Sequence, residues 1–431
     1  MKPYSIICLI FLLVLSCSDD ETQPNNNGSG NPCTNTPSLT TNAATNITDS
    51  SATLNGIIVA PTCDPSVTSQ GFVWGNSPLP KVTDNVIESP EKELSSILSG
   101  LQFNKTYFFR TYFTNPTGTY YGNDESFKTQ AGEVEISTKS ISHISAFGAR
   151  SGGIVIDDRG TSILSLGLCW SETSSPTILN DTVMVNKSDN DFVAFIHGIE
   201  PNKVYYLRAF ATNSDGTHYG EEKVINTNNT TTTIGNQIWT TAPISIVRYS
   251  DGSKIENIQA SNSWINNSSG AWCYSENSQS KVVIYNSSAI MNSKGFAPQG
   301  WHVASTAEWG TLQSFLIANG YNYDNTTAGN KIAKSLATSI STAWKSSSVV
   351  GHPGNNPRSN NSSGFSAKPY GGRDNVGNYR SNDGGGAAYW TSTQDSQGKN
   401  FTRTIYYASD SLRSSNSGQS IHGYQVRLVK D

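Results

Sequence analysis

Hydrophobic positions fall into three regimes along the chain. Tyr4 through Ser16 is an almost unbroken apolar run behind Met1-Lys2. It is shorter than the roughly 20 residues that span a bilayer and has the form of a signal-peptide core. Residues 18–37, with Pro24-Asn25-Asn26-Asn27-Gly28-Ser29-Gly30, show no apolar period and predict a flexible tether. From 38 to about 229 apolar residues alternate over short stretches such as Tyr107-Phe108-Phe109-Arg110-Thr111-Tyr112-Phe113, bounded by Asn-Pro-Thr-Gly or Asn-Ser-Asp-Gly turns. That period predicts β-strands with one buried face. Beyond about Thr233 helical spacing enters. Ser305-Thr306-Ala307-Glu308 is a capping box; Trp309, Leu312 and Leu316 share a face behind it, and Gly320 suits the position after the helix end. A second helix is expected over 328–337, where Ile332 and Leu336 stand four apart. Short strands and long polar loops make up the rest, so this segment is expected to be α+β.

The alternating region is a repeat. Gly100-Leu101, Asn104-Lys105, Tyr107, Arg110, Thr114-Asn115, Gly118-Thr119 and Tyr121-Gly122 recur 98 positions later as Gly198-Ile199, Asn202-Lys203, Tyr205, Arg208, Thr212-Asn213, Gly216-Thr217 and Tyr219-Gly220. Upstream, Gly71-Phe72-Val73-Trp74 matches Gly167-Leu168-Cys169-Trp170. A period this long means two whole domains rather than a solenoid. Short strands with frequent turns argue for β-sandwiches. An apolar residue followed six positions later by tyrosine, Leu101 to Tyr107 and Ile199 to Tyr205, resembles the tyrosine corner of fibronectin type III domains. The resemblance implies that the phenol ties back to upstream backbone and that Trp74 and Trp170 fill the core between the sheets. The proline usual before such a tyrosine is kept at Pro201, whereas Phe103 stands at that place in the first copy.

Charged residues make up only 14% of the chain and the net charge is −4, below the quarter typical of soluble domains. Nucleic-acid binding needs a concentrated basic face, which is lacking, so no nucleic-acid partner is expected. The apolar run ends in Val14-Leu15-Ser16-Cys17, which resembles a bacterial lipobox. Cleavage would leave Cys17 as the first mature residue, acylated, and two or more acyl chains suffice for stable membrane anchoring. Ser18-Asp19-Asp20-Glu21 resembles the acidic signal of Bacteroidota lipoproteins that face the cell exterior from the outer membrane. Cys33 and Cys63 could close a disulfide in such an oxidising compartment, whereas Cys169 and Cys273 sit among apolar neighbours as buried thiols.

The C-terminal segment carries a longer resemblance. Its motifs, in order, are Ile234-Gly235-Asn236-Gln237-Ile238-Trp239, Tyr249-Ser250-Asp251-Gly252, Gly270-Ala271-Trp272-Cys273-Tyr274, Pro298-Gln299-Gly300-Trp301-His302-Val303 and Ala307-Glu308-Trp309. They continue with Ser363-Gly364-Phe365-Ser366-Ala367, Gly371-Gly372-Arg373, Tyr389-Trp390-Thr391-Ser392-Thr393 and Val426-Arg427-Leu428-Val429-Lys430-Asp431. The series resembles the Fibrobacter succinogenes major paralogous (FISUMP) domain. The resemblance implies a fold similar to C-type-lectin-like and formylglycine-generating-enzyme-like proteins, on secreted and surface lipoproteins. Two usual family cysteines are replaced, by Ala297 and Leu428, which leaves Cys273 without its family partner.

The expected organisation is a signal peptide (1–16), a tether (17–37), two fibronectin-III-like sandwiches (38–130 and 131–229) and an α+β C-type-lectin-like domain (230–431). Formylglycine-type oxidase chemistry needs a cysteine pair where this segment has Cys273 alone, and His302 between Trp301 and Val303 suits a structural role. A binding function is therefore expected, not an enzyme, and no cofactor is required. Loops on a rigid scaffold commonly carry function. The stretch 346–389 is rich in Gly, Asn and Ser and offers Arg358, Asn360, Arg373, Asp374, Tyr379 and Asp383 as ligand-binding candidates. Amides and carboxylates pair with sugar hydroxyls, aromatic rings stack on sugar faces, and clustered oxygens can hold Ca²⁺. Thr182 and Ser411 follow aspartate and precede an aliphatic residue, resembling Bacteroidota O-glycosylation acceptors. Glycan or surface-protein ligands are the expected partners; a structural role in an outer-membrane complex is the alternative, and a FISUMP-fold enzyme a remote one.

Overall fold

A computed structural model describes residues 34–63, 65–275, 282–380, 383–418 and 421–431. The expected signal segment, Cys17, the expected tether as far as residue 33, and Cys33 lie outside the described residues. The chain divides into two compact units, one formed by residues up to 101 with 106–129, the other by 102–105 with 130–431.

The first unit is a β-sandwich. Its strands are β1 (Ser38–Thr45), β2 (Ser51–Val59), β3 (Ser69–Gly75), β4 (Asn85–Glu88), β5 (Glu93–Ser99), β6 (Thr106–Asn115), β7 (Gly118–Tyr121) and β8 (Glu125–Lys128). One sheet has the order β1-β2-β5; the other runs β4-β3-β6-β7, with β8 also pairing β6. Every pairing in it is antiparallel. These three- and five-stranded antiparallel sheets form the fibronectin-III-like sandwich that the repeat predicts. Alternation places Tyr107, Phe109 and Phe113 of β6 inward, against Phe72 from the same sheet and Leu54, Leu94 and Leu98 from the other.

The second unit begins with the same plan, as the repeat requires. Here β9 (Glu135–Thr138), β10 (Gly148–Asp157) and β13 (Asp191–His197) form one sheet in the order β13-β10-β9. The other sheet orders β12 (Asp181–Met184), β11 (Ser165–Ser171), β14 (Val204–Thr212) and β15 (Thr217–Tyr219), with β16 (Lys223–Asn226) also on β14. Trp170 is fully buried between the sheets. The tyrosine corner forms as expected: the Glu200 N–H donates to the Tyr205 hydroxyl at 2.9 Å. Between β15 and β16 the edge of β14 lacks a strand partner at the Ala209 amide. That amide donates to Thr138 Oγ1 at 3.0 Å, and the first sandwich repeats the device with the Thr111 amide and Thr41 Oγ1, also at 3.0 Å. A buried amide left without an acceptor is costly, which explains a threonine at this place in both copies.

Among its described residues the C-terminal segment adds twelve strands and four α-helices. Its first half contains β17 (Thr231–Ile234), β18 (Gln237–Thr240), β19 (Glu256–Asn257), α1 (Ser261–Ile265), β20 (Ala271–Tyr274), β21 (Val283–Tyr285), α2 (Ser287–Ile290), β22 (Trp301–Val303) and α3 (Thr306–Ala318). Then come α4 (Ala333–Leu336), β23 (Gly372–Arg373), β24 (Tyr379–Arg380), β25 (Gly386–Gln394), β26 (Asn400–Tyr406), β27 (Arg413–Gly418) and β28 (Leu428–Lys430). A sheet ordered β17-β18-β28-β22 joins the beginning of the segment to its end.

Helix α3 is built as its sequence predicts. Ser305 Oγ accepts the Glu308 amide at 3.2 Å while Glu308 Oε2 accepts the Ser305 amide at 2.8 Å. At the other end the Tyr321 amide donates to Leu316 O and the Gly320 amide to Ile317 O, with Gly320 at φ 75°. This Schellman closure uses the left-handed conformation that glycine adopts without strain. Trp309, Leu312 and Leu316 are fully buried, and the Trp309 ring centroid lies 4.9 Å from that of Trp239 and 5.4 Å from that of Phe365.

The expected helix over 328–337 is cut to α4. Gly329 at φ 75° breaks the helical path. Asn322 Nδ2 donates to the carbonyls of Thr326, Ala328 and Gly329, and Asn322 Oδ1 accepts the Lys331 amide, so this side chain takes the groups a helix would use. Ile332 and Leu336 still reach the core.

Within the second unit the sandwich and the C-terminal segment share a core. Ala146 and Phe147, just before β10, pack with Ile244, Ile246, Val303 and Leu428. Phe147 meets Trp301 edge-on at 5.2 Å, and Phe195 of β13 meets Trp272 at 5.5 Å. Such aromatic pairs add to the stabilisation from burial itself.

Candidate functional site

The six candidates nominated by the 346–389 loop do not form one ligand-facing group. Arg373 is fully buried. Its Nε donates to Gly377 O at 3.0 Å, its Nη2 to Gln259 O at 3.0 Å and Ser261 Oγ at 3.1 Å, and its Nη1 to Ile258 O at 3.4 Å. The guanidinium also lies 5.0 Å from the ring centroids of both Trp264 and Tyr379. Asn360 is buried too: Nδ2 donates to the Thr338 and Pro353 carbonyls, and Oδ1 accepts from Lys334 Nζ. These two side chains hold loops together and have no free donors in a fixed direction to offer a ligand. Polar composition suits recognition, but long loops also need internal partners for their own backbone.

Asp374 closes its own turn, accepting the amides of Val376 and Asn378 and pairing with Arg380 Nε at 2.6 Å. Burial pushes its carboxyl pKa up, yet Arg380 and the two amides hold it below the ordinary value. Asp383 pairs with Lys345 at 3.1 Å, and Arg358 lies exposed in a short 3₁₀ turn, Pro357–Ser359. Among the described residues no group of three or more His, Cys, Asp or Glu side chains is placed to hold a metal ion. Thr182 on β12 and Ser411 before β27 are half-exposed.

Cys63 is disulfide-bonded to a partner outside the described residues, and its amide donates to the carbonyl of Thr34. Cys169 and Cys273 are free and buried, and burial pushes both thiols up to about 11. A thiol in that range is protonated and unreactive at neutral pH.

His302 occupies an ionic latch. Its Nε2 lies 2.5 Å from Glu308 Oε1 and its Nδ1 2.5 Å from Asp431 Oδ1. Burial opposes its charge, but the bonds to Asp431 and Glu308 outweigh that and raise its pKa. Burial likewise pushes Glu308 up, while the Ser305 amide and His302 bring it below the usual carboxylate value. The histidine contribution to stability is full below about pH 6.5 and is lost as pH rises through the raised folded value. The Glu308 contribution is present above about pH 4.3 and is lost as pH falls through its lowered folded value. Wild-type protein should therefore lose more melting temperature between pH 5.5 and 8.5 than His302→Gln. Equal slopes in calorimetry would remove the latch from the stability balance.

The arrangement best suited to hold a ligand is a cleft of about 610 Å³ within the second unit, where the sandwich meets the C-terminal segment. Its apolar floor comes from Phe147, Ile246, Tyr249, Phe296 and the half-exposed Trp301. Polar groups ring it: Glu200, Asn202, Arg248, Gln299 and Lys430. Strand pairing fixes part of this wall, because Trp301 of β22 lies directly opposite Lys430 of β28. A large apolar hollow with a few polar groups at a domain junction is the common form of a small-ligand site. One difference between the two repeats marks this junction. The second sandwich has aromatic Phe147 and Phe195 where the first repeat has Ser50 and Ile97, a difference expected where only one copy packs against a neighbour. Ile97 is 75% exposed, whereas Phe195 packs against Trp272 and Tyr274.

Residues 232–430 match the model of the Fibrobacter succinogenes major domain. No curated protein matches the chain. Among solved structures, the chain is similar to the two fibronectin type-III domain segment from chicken tenascin, at 16% identity over 43% of this chain and 96% of that one, with a TM-score of 0.26. It is also similar to the FN1–FN3 domains of chicken CNTN1, at 11% identity over 43% of this chain and 67% of that one, with a TM-score of 0.22. The strand order described above, not these similarities, carries the sandwich fold.

Proposed function

We propose that this chain is a lipid-anchored surface protein that binds an extracellular ligand, a glycan in the first instance, in the cleft between its second sandwich and its C-terminal module. In this reading Cys17 anchors the chain in the outer membrane facing the exterior, the tether and first sandwich supply reach, and the module is a lectin-like binding domain of α+β type rather than an enzyme. The cleft is the observation that supports it: an aromatic floor for the apolar face of a sugar ring, rimmed by amide, carboxylate and cationic groups for its hydroxyls.

The experiment is glycan-array binding by the full chain, repeated with Gln299→Ala, an exposed rim residue, and with Trp301→Ala. Binding that weakens in both variants supports the cleft. A blank array, or binding untouched by either change, overturns it. One observation favours a protein partner instead: Ile178 and Leu179 in the β11–β12 connection and Met184 at the end of β12 are exposed, Leu179 to 92%. Co-purification of a membrane complex that is lost on Leu179→Ser, together with a blank array, would establish that second role.

A further inference from the structure

The charges around the cleft narrow what it can hold. Glu200 is the one carboxylate among the cleft's lining residues, and it is already paired with Lys203 Nζ at 3.0 Å, an ammonium that also meets Glu172 at 2.6 Å. The nearby His302 and Asp431 are paired with each other. Asp251, beside the lining residues Ser250 and Gly252, is turned to the amide and hydroxyl of Ser253. His197 is kept neutral, because burial and then the adjacent Arg248 lower its pKa. Arg248 and Lys430 remain. Neither meets a carboxylate within salt-bridge distance among the described residues, where eleven ion pairs form elsewhere.

Both cations are oriented by the fold. Arg248 Nη1 donates to Gly252 O at 2.9 Å, which fixes one end of the guanidinium and leaves its other N–H groups for a partner. Lys430 projects from β28 on the same sheet face as Trp301, its cross-strand neighbour. An aromatic ring beside an uncompensated cation suits a ring-shaped ligand that carries its own negative charge. In water such a cation is solvated and neutral in cost, whereas beside an anionic ligand it gains a charge-assisted hydrogen bond.

We propose that the cleft selects an acidic carbohydrate, whose ring lies on Trp301 while its carboxylate is met by Arg248 and Lys430. The proposal rests on the glycan-binding function above and adds the charge of the ligand. Arginine and lysine would divide the work, the guanidinium giving direction and the ammonium giving charge.

The test uses the full chain with oligogalacturonate and with its methyl ester, which keeps the ring and removes the charge. Titration calorimetry should show the acid binding at least roughly tenfold more tightly than the ester, a gap that narrows as salt is raised. Lys430→Gln and Arg248→Gln should each bring the acid down towards the affinity of the ester, and Arg248→Lys should retain an intermediate affinity. Lys430 is exposed, so its replacement leaves the fold intact. Equal affinity for acid and ester overturns the charge selection and leaves the cleft as a glycan site. Acid binding unchanged in both glutamine variants also overturns it. Failure of acid and ester alike, with a blank array, removes the glycan function itself.

Discussion

Arg373→Ala is expected to destabilise the second unit by at least about 3 kcal/mol. Truncating a large buried side chain leaves a cavity, which alone costs on the order of 2–5 kcal/mol. The carbonyls of Ile258, Gln259 and Gly377 also lose their donor, and a buried polar group left unpaired costs about 1–3 kcal/mol. These losses share one site and do not simply add. Urea unfolding followed by tryptophan fluorescence measures the result, since Trp264 stacks on the guanidinium. Arg373→Lys should recover little, because an ammonium cannot span carbonyls on two segments with a planar fork. Stability left intact, with ligand binding abolished, would return Arg373 to the role its place in a polar loop suggested.

Phe147→Ala should cost about 3 kcal/mol, near the lower end for a buried phenylalanine, and its signature should differ. The side chain is only 6% exposed and bridges the sandwich to the C-terminal module through Trp301. Removing it weakens the core shared across the junction while leaving the separate cores around Trp170 and Trp309 in place, so a shared thermal transition of the second unit should separate into two in differential scanning calorimetry. The same variant strips one wall from the cleft and should weaken ligand binding as well. Phe195→Ala should act in the same direction but less, because that ring is half-buried. A single transition at an unchanged melting temperature would mean that the junction carries no energetic coupling.

Local features were the most legible in the sequence. The capping box at Ser305, the stop at Gly320 and the buried face of Trp309, Leu312 and Leu316 follow from spacing within one helix. So do the repeat and its tyrosine corner, where a short offset from Ile199 fixes the hydrogen bond of Tyr205. Features that depend on distant partners were not legible. Nothing near Arg373 in the chain announces that its acceptors are residues 258 and 259, and Asn322 gives no local warning that it will displace a helical turn. The cleft shows this most clearly, since its walls come from residues near 147, 200, 247, 298 and 430. Composition could mark where polar groups are plentiful; only the packing decides which are consumed internally.

The place of β28 has a consequence for when the C-terminal module can fold. This strand lies inside its sheet, between β18 and β22, and the Leu428 amide donates to Thr240 Oγ1 across 188 residues. The first hairpin, β17-β18, therefore waits for almost the whole module before its neighbour exists. Pairing over so long a loop carries its entropy cost before any packing repays it, which makes for slow closure. A chain emerging from its N-terminal end can complete both sandwiches while this module is still open, with the β22-facing edge of β18 unfilled. The cleft, which Lys430 of this strand helps to line, thus takes shape only after both sandwiches can have formed.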